Sequence, residues 1–171
     1  MKQSDAWLVQ AAADMSAGEK LFQQDDPTSY CQAIAKYQQT VEKSIKAMVA
    51  AVNDLGSNLA ITPHHMPIAE IDGLLSLRRA IDNASVRRLA RIFELHRNPV
   101  EELCRPAPRW PEDGKDFARN TEYPFLRDGE WTAPAVQGSF TLQEAKRAQA
   151  TARAVHKAAN DFAVAIRLGP S

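Results

Sequence analysis

Cysteine is scarce in this chain, and its sequence offers no grouping of metal ligands. The two cysteines among 171 residues, Cys31 and Cys104, form no Cys-x-x-Cys pair. A zinc site and a disulfide framework are therefore not indicated, and buried or idle thiols are predicted. His64 and His65 are adjacent, so their side chains point in different directions, and we interpret them as loop or helix-capping residues rather than metal ligands. We predict no metal and no other cofactor.

Long apolar runs and glycine-rich phosphate loops are also missing. The first ten residues, MKQSDAWLVQ, lack the apolar run of a signal peptide, and no later stretch is apolar for long enough to cross a bilayer. None of the patterns GxxxxGK[ST], GxGxxG and GxSxG occurs, so P-loop, dinucleotide-binding and hydrolase functions have no support. We expect a cytoplasmic protein without a membrane partner.

Charge of one sign does not dominate the chain. Its 21 basic and 21 acidic residues give a formal net charge of +0, so no global field attracts nucleic acid or an anionic membrane. Residues 77–110 are nonetheless basic, with eight arginines against four carboxylates. If these arginines cluster in space, their guanidinium groups match phosphate or an RNA backbone; otherwise they form a solvated face.

Apolar residues at helical spacing predict an all-α fold. A stripe from Tyr30 to Leu55 indicates a long helix that Gly56 ends. A shorter stripe before it predicts an antiparallel helix, separated by a turn at residues 25–27. The other faces of the long helix carry Lys36, Gln39, Lys43 and Lys46, and Glu42 with Lys46 is interpreted as an ordinary surface ion pair.

Three further helices are predicted from their start signals. One begins near Pro67, one after Asn83, and the last at Thr141, where Glu144 completes a capping box. The helix after Asn83 has Val86, Leu89 and Phe93 as its apolar stripe, and it is predicted to end near residue 98. Beyond that point Asn98, Pro99 and Glu101 have the form of an N-cap, a first-turn proline and a capping glutamate.

The segment from residue 105 to residue 140 has a different composition. It holds five of the ten prolines and six of the twelve aromatic residues. A disordered linker is poor in aromatics, so we predict an ordered excursion packed over the helices. The whole chain, residues 1–171, is therefore predicted to be one domain, an up-and-down bundle of four to five helices with this excursion before the last one.

Arg91 and His96 lie in the sequence RIFELHRNP, with four residues between them. On a regular helix, positions five apart point roughly 140° away from each other. His96 also continues the apolar spacing of Leu89 and Phe93, which predicts a half-buried histidine beside the core. The alternative is that the two residues form a catalytic pair.

Three motifs, in order along the chain, resemble HEPN domains. YQQTVEKSIKAMV, from Tyr37 to Val49, is similar to the family's second helix. TPHH, at residues 62–65, resembles the Thr-His entry to its third helix. TEYPF, from Thr121 to Phe125, looks like the Arg-Tyr-Pro element before its final helix. The resemblance extends from the first helix to about Leu168.

The resemblance implies a helical bundle that is usually a dimer, in a family tied to nucleotides and RNA. Many members are metal-independent endoribonucleases, in which a histidine activates the ribose 2′-hydroxyl and an arginine stabilises phosphate charge. Arg91 and His96 are the pair with that spacing here. Ile92 stands where the family commonly has a polar residue, and Glu122 stands where it often has arginine. Both departures favour a protein without catalytic activity.

Two hypotheses follow. The first is a non-catalytic, HEPN-like homodimer that binds a nucleotide, RNA or a partner protein, with Arg87, Arg88 and Arg97 as its binding residues. The second is an endoribonuclease in which Arg91 and His96 meet at the dimer interface.

Overall fold

The computed structural model describes residues 1–56, 58, 59, 61, 84–104 and 119–168, and for residues 84–93 it describes the backbone alone. The structure is mostly helical. Its elements are α1 (Gln3–Gln23), α2 (Tyr30–Asn53), α3 (Ala84–Cys104), β1 (Phe125–Arg127), β2 (Glu130–Thr132) and α4 (Leu142–Leu168). The helix predicted near Pro67, and residues 105–118 of the predicted excursion, lie outside the described residues. None of the helices within these ranges is long and apolar enough to span a bilayer.

Helix α2 is the central helix, and its predicted apolar stripe forms much of the core. The buried members of that stripe are Tyr30, Ile34, Tyr37, Val41, Ile45, Met48 and Val52. Leu55 was also predicted to belong to the stripe, but it is 58% exposed. The reason is that α2 ends at Asn53 and Gly56, at φ +94°, turns the chain away.

Helix α1 runs antiparallel to both α2 and α4, as three ion pairs and one cation–π contact establish. Trp7 lies against Lys46, while Asp14 pairs with Lys36 seven residues further along α1. Towards α4, Asp5 pairs with Arg167, and Glu19 accepts from Arg153 at 2.6 Å. The predicted turn between α1 and α2 is confirmed, with Asp25 at φ +50°.

Gly18 lets α1 and α2 approach closely. A Cβ at this position would lie 2.7 Å from Cε1 of Tyr37 and 3.2 Å from Cβ of Lys36. The Tyr37 ring is fully buried, so it has no space into which to move. Glycine is therefore required by the packing and not by the backbone conformation, which is helical here.

Helix α4 begins with the predicted capping box. The backbone N–H of Thr141 donates to Glu144 at 2.8 Å, and the backbone N–H of Glu144 donates to the Thr141 hydroxyl at 3.2 Å. Arg119 also donates to the Glu144 carboxylate at 2.7 Å. The hydrogen bond from Arg119 is the main reason why the pKa of Glu144 falls to about 2. Along α4, the helical spacing of Val155, Ala159, Phe162 and Ile166 predicts its core side; the first three are buried and Ile166 is partly buried.

The predicted helix end at Asn98 and Pro99 is wrong, because α3 continues through Pro99 to Cys104. Proline removes the N–H that would bond to the carbonyl of Leu95. Leu95 is 75% exposed, so water can satisfy that carbonyl. Beyond the proline, Val100, Leu103 and Cys104 are buried in the core, and this packing holds the helix past a residue that disfavours it.

A β hairpin before α4 departs from the all-α prediction. Leu126 pairs with Trp131, and Arg127 with Glu130, on either side of a two-residue turn. Asp128 and Gly129 in that turn have φ +52° and +85°, as a type I′ turn requires. Phe125 and Phe140, at either end of residues 125–140, are 2% and 3% exposed, whereas most of the residues between them are exposed.

Candidate functional site

Helix α3 carries the predicted catalytic pair, and the helix is unbroken between the two positions. His96 is half-buried, and it lies four residues before the buried Val100 and seven before Leu103. It therefore belongs to the side of α3 that faces the core, as predicted. Position 91 lies four and seven residues before Leu95 and Asn98, which are both exposed. Within one chain, the helical register thus puts positions 91 and 96 on different sides of α3.

The predicted binding residues divide in the same way. Positions 87 and 88 lie four and three residues before position 91, which lies four before Leu95, so all of them belong to one side of α3. The side chains of Arg87, Arg88 and Arg91 lie outside the described part of the structure. Arg97 is on the flank of the helix, where its Nε lies 3.3 Å from the carboxylate of Glu101. The register therefore brings positions 87 and 88 together but leaves Arg97 apart.

The predicted surface pair of Glu42 and Lys46 is wrong for Lys46. The Lys46 side chain is 4% exposed, whereas that of Glu42 is 25% exposed. Trp7 of α1 covers the lysine, with its ring centroid 5.2 Å from the ammonium nitrogen. The buried charge is thus compensated both by Glu42 and by the face of the indole ring. Sequence spacing alone does not reveal that a neighbouring helix covers this side of α2.

A second buried charge, Asp14, connects α1 to α2. Its side chain is 6% exposed and pairs with Lys36 at 3.3 Å and with Lys43. Lys36 also donates to Gln39 at 2.9 Å, and Gln39 donates to Glu122 at 3.2 Å. Each of these side chains already has a partner within the chain, so we interpret the network as structural. Sequence reasoning missed Asp14, although its spacing from the buried Ala11 and Gly18 puts it on the inner side of α1.

Two of the motifs that carry the HEPN resemblance meet at Gln38. This buried side chain donates to the backbone carbonyl of Leu103 at 2.8 Å and accepts from the hydroxyl of Thr121 at 2.8 Å. Asn120 closes the adjacent turn by accepting from the backbone N–H of Glu122 at 2.9 Å. The glutamines of α2 therefore hold the end of α3 and the start of the 119–140 segment.

Replacing Gln38 by leucine should destabilise the protein by about 2 kcal/mol. The substitution preserves the volume but removes two buried hydrogen bonds, one to the Leu103 carbonyl and one from the Thr121 hydroxyl. Urea denaturation measures the loss, and Gln32→Leu, at an exposed position of α2, serves as the matched control. Equal stability of the two variants would show that the buried hydrogen bonds contribute nothing.

His156 forms a polar link between α4 and α2. Its Nδ1 lies 3.2 Å from the hydroxyl of Ser44, and its Nε2 lies 3.2 Å from the amide nitrogen of Asn160. That amide nitrogen also donates to the carbonyl of His156 at 2.9 Å. Nε2 must therefore accept, which leaves the proton on Nδ1 and makes Ser44 its acceptor. Because Ser44 is fully buried, we interpret the pair as a structural contact and not as a nucleophile with its base.

The free energy of unfolding should fall as the pH drops from about 7 to about 5. Burial lowers the pKa of His156 below its usual value of 6.5. The unfolded chain then binds more protons than the folded protein in this range, so acid favours unfolding. Urea denaturation of the wild type and of His156→Gln across this range isolates the contribution, since the other three histidines remain in the variant. Identical pH profiles would contradict the assignment.

Neither a metal centre nor a reactive thiol emerges from the described residues. Among them, no three His, Cys, Asp or Glu side chains are grouped to hold a metal ion. His64 and His65 lie outside them. Cys31 and Cys104 are buried free thiols, as predicted. Burial raises the pKa of Cys104 to about 12, which suppresses the reactive thiolate form.

No family model matches this chain, and no curated protein or solved structure gives a significant match. Its function has to be inferred from its own residues and their geometry.

Proposed function

We propose that this chain is a HEPN-like helical-bundle domain that binds a nucleotide, RNA or a partner protein without cleaving RNA, and we favour a nucleotide or RNA bound on one side of α3. The proposed topology is an up-and-down bundle of four to five helices that includes the helix predicted near Pro67. The proposed setting is cytoplasmic, with no cofactor and no membrane partner.

The observation that carries this proposal is the register of α3. Positions 87, 88 and 91 are all arginine, and they share a helix side with Glu94, Leu95 and Asn98, which are exposed. An exposed helix side with arginine at three neighbouring positions is suited to phosphate, because guanidinium groups donate two hydrogen bonds to phosphate oxygens. We therefore favour Arg87 and Arg88 as binding residues over Arg97, which is engaged with Glu101.

The same register argues against catalysis within one chain. A general base and a phosphate-stabilising arginine have to converge on one ribose phosphate. His96 belongs to the core side of α3, and position 91 to the opposite side. The endoribonuclease hypothesis therefore needs a second chain to bring an arginine to His96.

A homodimer is part of the proposal, because the HEPN resemblance implies one. Leu95, on the same side of α3 as the arginine positions, is 75% exposed, but a single exposed apolar side chain is ordinary on a protein surface. We therefore do not assign the dimer interface to this side, where it would cover the arginines proposed to bind phosphate.

The binding experiment uses a labelled, single-stranded, mixed-sequence RNA and fluorescence anisotropy at several salt concentrations. We expect wild-type protein to bind, with an affinity that falls as salt rises. Changing both Arg87 and Arg88 to glutamine should reduce the slope of log K against log salt by roughly 1.4, since each phosphate contact contributes about 0.7 on a single strand. Competition by ATP separates a nucleotide site from an RNA site.

The matched control for this experiment changes Lys146 and Arg147 to glutamine. Both residues are exposed on α4, so the control removes the same two positive charges from a different surface. Equal effects of the control and the double variant would indicate unspecific attraction. Absence of binding to both RNA and ATP would contradict the proposed function.

A further inference from the structure

The exposed side of α3 changes chemically along its length. The arginine positions occupy its N-terminal half, whereas its C-terminal half carries Leu95, Asn98 and Glu102, which are all exposed. At about 100° per residue, these three lie within about 60° of one another and of position 91 around the helix axis. They therefore form one row with the arginine positions, in which positive charge is followed by an apolar side chain, an amide and a carboxylate.

The side chains in the C-terminal half of this row are available to a ligand. Leu95 is 75% exposed. Within the part of the chain that the structure describes, no hydrogen bond or ion pair engages the side chains of Asn98 and Glu102. By contrast, Arg97 and Glu101 on the flank of the helix are paired with each other at 3.3 Å. Asn98 and Glu102 thus retain their hydrogen-bonding capacity for a bound molecule.

A phosphate backbone is not expected to continue along this half of the row. Glu102 repels phosphate, and Glu94 adds a second exposed carboxylate to the same side of α3. Position 91 and Asn98 are about 10 Å apart along the helix axis, a distance that one nucleotide held by an arginine side chain can bridge. A ligand with its phosphate on the arginine positions would therefore present its base to Leu95, Asn98 and Glu102.

The side chains of the C-terminal half match guanine better than the other RNA bases. A carboxylate accepts two hydrogen bonds side by side, and guanine offers two adjacent donors on its pairing edge, N1–H and the N2 amine. Adenine, cytosine and uracil each offer one donor group there. Asn98 is one helical turn from Glu102, so its amide can donate to guanine O6 on the same edge. Leu95 supplies an apolar contact for the face of the base.

We propose that Asn98 and Glu102 make the α3 site selective for guanine, with the adjoining phosphate on the arginine positions. This inference rests on the proposed function and specifies its ligand, a guanine base attached to a phosphate, in a free nucleotide or in single-stranded RNA. Contacts to phosphate position a nucleic-acid ligand and contacts to the base specify it. Asn98 and Glu102 are therefore specificity-determining residues, while the arginines supply most of the affinity.

The test compares ligands of equal charge by isothermal titration calorimetry. We expect GTP to bind the wild-type protein about fivefold or more tightly than ATP, which is the lower end for one bidentate base contact. Inosine triphosphate retains O6 and N1–H but lacks the N2 amine, so it should lose most of this advantage. Equal affinities for GTP and inosine triphosphate would show that the carboxylate does not bind the N2 amine.

The variant Glu102→Gln separates base recognition from charge. Loss of the carboxylate should strengthen the binding of every anionic ligand, but glutamine offers one acceptor in place of two, so the ratio of GTP to ATP affinity should fall to about one. Glu130→Gln, at an exposed position of the hairpin, removes the same charge elsewhere and should leave the ratio unchanged. A ratio that survives Glu102→Gln would overturn the assignment. Asn98→Ala, also at an exposed position, should reduce the ratio independently.

Two short single-stranded RNAs distinguish the sources of guanine by fluorescence anisotropy. They differ only at one guanine, which is inosine in the second strand. Tighter binding of the guanine strand would identify RNA as a source, and selectivity confined to GTP would identify a free nucleotide. Equal binding of GTP and ATP, together with equal binding of both strands, would overturn the inference and leave the proposed function standing. Absence of binding by all of these ligands would contradict the proposed function itself.

Discussion

Replacing Asp14 by alanine is expected to lower the free energy of unfolding by about 3 kcal/mol. The substitution removes the buried carboxylate that pairs with Lys36 and Lys43 and leaves two ammonium groups at the boundary between α1 and α2. Lys36 and Lys43 are 36% and 20% exposed, so they can turn partly towards water, which keeps the loss near the lower end for a broken buried pair. The melting temperature should fall by roughly 6–12 °C for a chain of this length.

The control for Asp14→Ala is Asp161→Ala, which removes a carboxylate from the exposed pair with Lys157 on α4. An exposed pair of this kind contributes less than about 0.5 kcal/mol. Thermal and urea denaturation of both variants gives the comparison. If Asp14→Ala were no less stable than Asp161→Ala, Asp14 would not be an anchor of the fold, and its lysines would be available to a ligand.

Replacing Gly18 by valine is expected to destabilise the protein by about 3 kcal/mol, at the upper end for overpacking of a core. The first carbon added to Gly18 already lies 2.7 Å from the Tyr37 ring, and valine adds two methyl groups to it. Because Tyr37 is fully buried, the strain can be relieved only by separating α1 from α2. Urea denaturation measures the loss.

Ala13→Val provides the control for Gly18→Val, because Ala13 is an exposed position of the same helix. It should lower stability by only about 0.5 kcal/mol, through helix propensity. A double-mutant cycle identifies the contact: Gly18→Val should be less harmful when Tyr37 is already leucine. Additive effects would mean that the Tyr37 ring is not what excludes a side chain at position 18.

Short-range sequence signals were sufficient to predict the features that depend on only a few neighbouring residues. The capping box of Thr141 and Glu144 depends on one spacing, and the ends of α1 and α2 depend on the turn at residues 25–27 and on Gly56. The core stripe of α2 follows from helical periodicity. These features were predicted and the structure has them, except that α2 ends at Asn53 and leaves Leu55 exposed.

Features that depend on neighbouring elements were predicted less well. Lys46 is buried because Trp7 of α1 lies over it, and α3 passes through Pro99 because Val100 and Leu103 pack beyond the proline. Neither fact can be read from the spacing of α2 or α3 alone. The hairpin is a different case: Asp128-Gly129 is a strong turn signal, but strands of only three residues on each side gave no clear alternating pattern to accompany it.

The candidate site on α3 could be predicted in part from the sequence. Periodicity correctly predicted that His96 lies beside the core, and the five-residue interval to Arg91 already implied different helix sides. The ion pair between Arg97 and Glu101 could be predicted from their i, i+4 spacing. Its consequence is that Arg97 lies apart from the arginine positions 87 and 88, and this required knowing the exposed side of α3, which Leu95 and Asn98 define.

The most direct test of the central claim, binding without RNA cleavage, is a nuclease assay with a chelator present. Purified wild-type protein and His96→Ala are incubated with a labelled mixed-sequence RNA, and the products are separated by length. We predict intact RNA in both reactions, with the RNA retained by wild-type protein in a parallel binding assay. Cleavage by the wild type that disappears in His96→Ala would contradict the claim and establish a metal-independent endoribonuclease with His96 as its base.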